Sequence, residues 1–227
     1  MRFVANLRDR TIDAFGRHGI QPDAYLLSTH RLSPAAIEHA QALRDVGIPV
    51  VADNGSKALI DEVIAHFRDP AAVVRQRVRE LRHSLGHTPR GREVPAALRE
   101  QASDLARQVV AMATELSAQV DAVELLAAQL SMRPSHLVAQ EDFATTCLMA
   151  LNLERETTGW PVAAFLARNR RTLALWRVVA DDPRVGDLTV YAVLSAVDYN
   201  TARAAGRLAA EAGAGDLALG CAGLMLD

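Results

Sequence analysis

Ile48-Pro49-Val50-Val51-Ala52-Asp53-Asn54-Gly55-Ser56 is the stretch whose reading decides the fold. A short apolar run ends abruptly in a carboxylate, an amide and a glycine. Such a run, apolar on both faces and closed by a turn, reads as a buried parallel strand. It delivers Asp53 to a strand's carboxyl end, where α/β folds place their chemistry. Upstream, Asp23 to Ser28 forms a second strand candidate that ends at Thr29 and His30. Ser33-Pro34 then supplies an N-cap and a first-turn proline. The helix they open runs through Ala35 to Val46, with Ile37, Ala40, Leu43 and Val46 on one stripe and Gly47 as its stop. Strand, helix and strand thus repeat within about 25 residues, the spacing of a right-handed parallel crossover. Residues 1 to 20 read as a short apolar start followed by an amphipathic helix.

Downstream of Gly55 the alternation is interrupted. Ser56 is placed to cap a helix carrying Leu59, Ile60, Val63, Ile64 and Phe67, which Pro70 is expected to break. A second, basic helix over Ala71 to Leu85, a Gly/Pro loop and a long helix from about Ala96 to Ser117 complete a helical insertion. Residues 121 to 129 fit helix and strand equally. Pro134 to Ala139 reads as a short strand ending at Gln140, Glu141 and Asp142, with helices following through Leu153 and from about Val162 to Ala180. Leu188 to Ser195 is a clear strand, Asp198 is placed to cap a helix through Ala212, and Asp216 to Cys221 is a further strand. That unit repeats at about 27 residues, close to the first.

The expected architecture is therefore α/β, a partial or incomplete (β/α) TIM-type barrel. Residues 1–55 hold its first units, 56–117 the helical insertion and 118–227 the remaining units. A closed barrel of this kind takes about 250 residues, so 227 residues with a large insertion suggest one truncated at its C-terminal side or completed by a partner.

Half of the residues are apolar and only 4% aromatic, so the core is built mainly from Ala, Val and Leu. The formal net charge of -2 argues against a generally basic, nucleic-acid-coating surface, although a local basic patch is compatible with it. The two cysteines, Cys147 and Cys221, lie far apart and offer neither a zinc-ribbon pattern nor a disulfide framework. Residues Met1 to Arg10 carry charges and no apolar signal core, and no apolar run approaches the roughly 20 residues of a membrane span. A cytoplasmic protein without membrane partners is the default expectation.

If the strands lie parallel, their carboxyl ends gather His30, Asp53 with Asn54, Glu141 with Asp142, Ser195 with Asp198, and Cys221 with the backbone of Gly220 and Gly223. Carboxylates crowded in one pocket separate their pKa values, leaving one protonated as an acid and another ionised as a base or nucleophile. Asp53, Glu141 and Asp142 are the catalytic candidates. His30, Asn54, Ser195, Gly220 and Gly223 are the substrate-binding ones. Each has a plainer reading: Asp198 and Asp142 as helix caps, and Asp53-Asn54-Gly55 as an ordinary turn. No metal site and no cofactor is predicted. The nearest alternative is a divalent metal held by His30 with the carboxylates, since His83 and His87 share a helical face but lack a third ligand. Arg75, Arg79 and Arg82, within a run extending to Arg92, are candidates for a nucleic-acid backbone contact; the plainer reading is a solvated helix face. Lys57, the single lysine, reads as a surface residue rather than a Schiff-base donor.

The order of these pieces resembles the tRNA-guanine transglycosylase family. Ala52-Asp53-Asn54-Gly55 is similar to its early Asp-Ser-Gly-Gly turn, and Gln140-Glu141-Asp142 to its acidic pair. Arg171-Thr172-Leu173-Ala174-Leu175-Trp176 resembles its Thr-to-Trp helix. Tyr191 to Ala196 is placed like its Gln-Gly-Gly strand, and Leu219-Gly220-Cys221-Ala222-Gly223 like its last glycine turn. The likeness covers most of the chain outside the insertion. Asn54 stands where the family has serine, Ser195-Ala196 where it has glutamine and glycine. The family's nucleophilic aspartate and zinc cysteines fall beyond Asp227. The resemblance implies a (β/α) barrel transferase, a glycosyltransferase that exchanges a guanine-like base in a nucleic acid. It casts Asp53 as the acid/base and Glu141 or Asp142 as the carboxylate that reads the guanine edge. Two other expectations stand beside it: a metal-assisted barrel enzyme on a small polar metabolite, and a non-catalytic α/β scaffold that binds a protein partner. A homo-oligomer is compatible with each.

Overall fold

A computed structural model describes residues 4–6, 17–18, 23–29, 33–89, 91–151, 162–196 and 199–219. The described residues form an α/β fold around one parallel sheet. Its strands are β1 (Val4–Asn6), β2 (Ala24–Ser28), β3 (Val50–Asp53), β4 (His136–Val138), β5 (Thr189–Leu194) and β6 (Leu217–Leu219). They are hydrogen-bonded in sequence order, each parallel to the next. Every crossover therefore advances by one strand in the same direction, and no order reversal of the doubly wound kind occurs.

Side-chain alternation divides the sheet into two faces. Leu27, Val50, Ala52, Leu137 and Val190 pack with residues of helices α1 (Pro34–Asp45), α4 (Ala122–Ser131) and α6 (Val162–Ala180). Ala192 and Leu194 continue that face against α6 and α7 (Tyr199–Ala212). Ala24, Val51, Val138 and Val193 form a separate cluster with Leu26 and Tyr191 on the other face. Asp53, two residues after Val51, belongs to that second face.

Helix α1 starts as the sequence predicts: the Ser33 side chain accepts from the Ala36 N–H at 3.2 Å, and Pro34 occupies the first turn. Gly47 follows with φ +81°. The predicted stripe extends one residue too far, because Val46 is 72% exposed as the C-cap. Residues 121 to 129, ambiguous in sequence, are helical, with the Asp121 side chain accepting from the Val123 and Glu124 N–H groups. Of the expected helix within residues 1–20 only residues 17–18 are described, and these are helical; the expected cap Asp198 and Cys221 lie outside the described residues.

Two local expectations are corrected. Pro70 does not end a helix: α2 is one helix from Ser56 to Leu85 with Pro70 inside it. Without its N–H, Pro70 leaves the His66 carbonyl without its usual i+4 donor, an interruption that costs about 3 kcal/mol. Packing offsets it. Ile60, Val63, Phe67, Ala71, Val74 and Val78 recur every three or four residues and bury against α3 (Ala96–Ala118) and α5 (Ala144–Leu151) in a core of their own. Nor does Ser56 cap α2. Gly55 is the N-cap, at φ +75°, a left-handed conformation suited to glycine. Ser56 is the first helical residue, and its hydroxyl is engaged elsewhere.

Helices α2 and α3 thus leave the sheet after β3 and pack on each other and on α5, while α4 serves as the crossover helix between β3 and β4. The excursion is anchored at both ends to the same place. Ser56, at its start, bonds to Glu141, and the Ser117 carbonyl, near its end, accepts from the Gln140 side chain at 3.0 Å.

Candidate functional site

The carboxyl ends of β3, β4 and β5 gather several of the buried polar residues among those described. Asn54, Gln140, Glu141 and Ser195 are each less than 10% exposed, as are Gln129, Asn169 and Thr172 on the helices behind them. Burial on this scale demands partners. The Asn54 amide is engaged at both ends: Nδ2 donates to the Ala139 carbonyl at 2.7 Å and Oδ1 accepts from the Ser56 N–H at 2.9 Å. One side chain therefore ties the tip of β3 to the segment after β4 and to the first residue of α2. Gln129 bridges the same two strands from behind, its Nε2 donating to the carbonyls of Ala52 and Val138. Asn169 clamps the backbone after β5, donating to the Ser195 carbonyl and accepting from the Ser195 N–H, both at 3.1 Å.

The strand tips so fixed present two interacting carboxyl groups. Glu141 accepts from the Ser56 hydroxyl at 2.7 Å through Oε1. Burial pushes Glu141 up to about 7, the Ser56 hydrogen bond opposes the rise, and the neighbouring Asp53 and Asp142 anions add to it. Asp53 is raised as well, by burial, against the backbone N–H groups of Gly55 and Asn54 that donate to it. The Asp53 charge therefore acts on Glu141 in the same direction as burial, disfavouring its ionisation.

Asp142 has a different employment. Its Oδ1 accepts from the Ala144 N–H at 3.2 Å at the start of α5, its own N–H donates to the Thr172 hydroxyl at 2.9 Å, and its Oδ2 is paired with Arg171 at 2.5 Å. It caps a helix and docks α6, while contributing negative charge to Glu141. The helix from Thr172 to Trp176 is a docking element too, since the Trp176 indole N–H donates to the Val190 carbonyl at 2.8 Å.

Of the other sequence candidates, His30, Gly220 and Gly223 lie outside the described residues. Asn54 and Ser195 stand at the mouth; the Asn54 amide is spent on the framework and the Ser195 backbone is clamped by Asn169. Arg75 is half-buried and donates to the carbonyl of Leu151, the last residue of α5, while Arg79 and Arg82 are exposed on α2. Lys57 is paired with Asp61, and His87 bonds to the Leu85 carbonyl and to Glu93. Among the described residues, no three His, Cys, Asp or Glu side chains are grouped to hold a metal ion. Cys147 is fully buried, and burial with the nearby Glu141 and Asp142 charges pushes its thiol up to about 12, so it is an inert packing residue. No described helix is long and apolar enough to cross a membrane.

Sequence reasoning missed Gln129, Asn169 and the role of Ser56. Gln129 is the single polar residue within Leu125-Leu126-Ala127-Ala128-Gln129-Leu130, and an amide inside an apolar run signals a buried acceptor to be met. Asn169, flanked by arginines, carries no comparable signal. Comparison of the chain with family models, with curated proteins and with solved structures finds no match.

Proposed function

We propose that the mouth formed by Asp53 and Glu141 binds a guanine-like base of a nucleic acid and handles its proton, as one step of a transglycosylase-like base exchange. The observation that carries this reading is the pair itself: a half-buried Asp53 at the end of β3 and a buried Glu141 just after the parallel neighbour β4, which feels the Asp53 charge and is hydrogen-bonded to Ser56. A carboxylate accepts the two parallel N–H donors of a guanine edge, and a second carboxyl beside it takes up or returns a proton. The order of motifs, from Asp53-Asn54-Gly55 through Gln140-Glu141-Asp142 to the helix ending at Trp176, supports the same reading through its resemblance to the transglycosylases. So does a sheet wound in sequence order with the sheet-packing helices on one face, which suits a partial (β/α) barrel.

Arg79 and Arg82 extend the reading to the polymer. With about 100° per helical residue they fall on the same flank of α2 as Arg68 and Arg75, and both are exposed. Exposed guanidinium groups along a helix fit successive phosphates.

Calorimetric titration with guanine and with a guanine-containing single-stranded oligonucleotide tests the reading. Guanine binds and adenine does not, and Glu141→Ala weakens guanine by about tenfold to a hundredfold, the loss of charge-assisted hydrogen bonds. Arg79→Ala with Arg82→Ala weakens the oligonucleotide and flattens its salt dependence while leaving free guanine unchanged. Transfer is then read as incorporation of labelled guanine into the oligonucleotide. Equal, weak binding of all bases, unaffected by Glu141→Ala, removes the nucleobase reading and leaves a scaffold.

A further inference from the structure

The two carboxyl groups of the mouth are held by donors of different kinds. Asp53 faces backbone N–H groups, from Asn54 and Gly55. A backbone N–H only donates, so it suits an ionised acceptor and offers nothing to a carboxylic acid's own O–H. Glu141 faces the Ser56 hydroxyl at 2.7 Å. A hydroxyl rotates: it donates to a carboxylate and accepts from a carboxylic acid with the same heavy-atom geometry. The Ser56 main chain is itself fixed, its N–H held by Asn54 Oδ1 at 2.9 Å, so only the hydroxyl hydrogen has to move.

We propose that Glu141, rather than Asp53, is the carboxyl group of the mouth that gains and loses a proton, and that Ser56 is the positioning residue that holds it in both states. This rests on the nucleobase reading for its consequence but not for its test. It moves the proton-handling role from Asp53, where the family resemblance puts it, to Glu141, which also keeps the base-reading role. The surroundings agree with it. The charges acting on Glu141 are the anions Asp53, from β3, and Asp142, from its own segment. Among the cationic side chains of the neighbouring helices, Arg171 of α6 pairs with Asp142, Arg168 of α6 donates to the Thr145 hydroxyl, and Lys57 of α2 pairs with Asp61. The Cys147 thiol of α5 stays neutral. When a base with two N–H donors enters, the Glu141 O–H bond breaks, its proton leaves to solvent, and the carboxylate accepts the base edge; no other bond changes.

Carboxyl-carbon NMR of the full chain, labelled at Glu and Asp side chains, follows both groups without any ligand. Glu141→Gln and Asp53→Asn assign the signals. The expected result is a Glu141 midpoint near neutrality, above that of Asp53. Ser56→Ala raises the Glu141 midpoint by about one pH unit, because the ionised form loses its donor, and Ser56→Thr restores it. Asp53→Asn lowers it by removing a neighbouring anion. A merely structural Ser56 would change unfolding midpoints without moving this titration. Asp53 titrating near neutrality with Glu141 in the ordinary carboxylate range overturns the assignment, and that comparison needs only the unaltered chain apart from signal assignment. A Glu141 midpoint unmoved by Ser56→Ala removes the role of Ser56. If the titration behaves as expected and guanine does not bind, the nucleobase reading fails and the proton assignment stands.

Discussion

The mouth at the strand tips and the excursion of α2 and α3 begin at the same residues, Asp53 to Ser56, yet they are held together by opposite means. The excursion is an apolar assembly, with Ile60, Val63, Phe67, Val74 and Val78 of α2 meeting Leu98, Leu105 and Val109 of α3. Its exposed polar side chains include short-range pairs such as Gln76 with Glu80. The mouth is a polar, largely buried assembly, in which amides bridge strand tips and a serine faces a buried acid. The excursion gains stability from burial, whereas the mouth spends some to keep charge where water is scarce. A region built of hydrogen-bonded polar groups and two raised acids is the costlier of the two to maintain, and that cost is the physical mark of a site.

The contrast breaks first if the excursion's core can be hollowed without penalty. Phe67, 5% exposed, sits at the centre of the α2–α3–α5 core. Phe67→Ala is expected to cost about 3–5 kcal/mol in urea unfolding. A loss below about 1.5 kcal/mol means that the helices close over the gap and are not packed as described.

The second test reverses sign. Glu141 has a value of about 7 in the fold against 4.5 for the free side chain. Below the lower value it is protonated in both states. As pH rises between the two, the unfolded chain ionises first, so stability present in acid is lost, about 3 kcal/mol by the time the folded group has titrated. Glu141→Gln does not titrate. It is therefore expected to be more stable than the unaltered chain by about that amount at pH 8 and to match it near pH 4. Paired unfolding curves at the two pH values decide it. A glutamine variant that matches the unaltered chain at both pH values places Glu141 in water.

Smaller, and opposite in sign, is the removal of the framework amide. Asn54→Ala strands the buried Ala139 carbonyl and the Ser56 N–H. A loss of about 2–3 kcal/mol is expected. Because Ser56 is then less firmly seated, the Glu141 midpoint should move in the same variant, whereas Phe67→Ala should leave it alone. Movement in both, or in neither, means that mouth and excursion are not the separate assemblies described.

The excursion and the mouth were unequally legible. Strands β2, β3, β4 and β5, the cap at Ser33 and the stop at Gly47 follow from periodicity and turn chemistry, which act within a few residues. That Asp53 ends a strand is written in Val50-Val51-Ala52-Asp53-Asn54-Gly55. That Ser56 faces Glu141, 85 positions away, is not written locally at all. Local rules therefore assigned the serine to a helix cap, a post that Gly55 fills instead. Asp142 shows the converse: its plain reading as the cap of the following helix is what the structure gives it, with a salt bridge added. Arg75 was legible as a charge but not as the donor that closes α5, because its partner Leu151 lies 76 positions away.

Pro70 is where a strong local rule lost to packing, and it supplies the smallest effect. The apolar positions of α2 continue in step across it, Phe67 before and Ala71 and Val74 after, all facing α3 and α5. Tertiary burial on both sides therefore holds the proline in a helix its own geometry opposes. Pro70→Ala restores an N–H within reach of the His66 carbonyl, and Pro70 is exposed, so little packing is lost. Against that gain stands the greater freedom of the unfolded chain without proline, worth about 0.4–1 kcal/mol. A net stabilisation of about 1–2 kcal/mol is expected in urea unfolding, with the amides of residues 67–74 exchanging more slowly. Destabilisation instead would show that the break at Pro70 is needed to seat α2 against its neighbours, and the excursion, like the mouth, would then spend stability of its own.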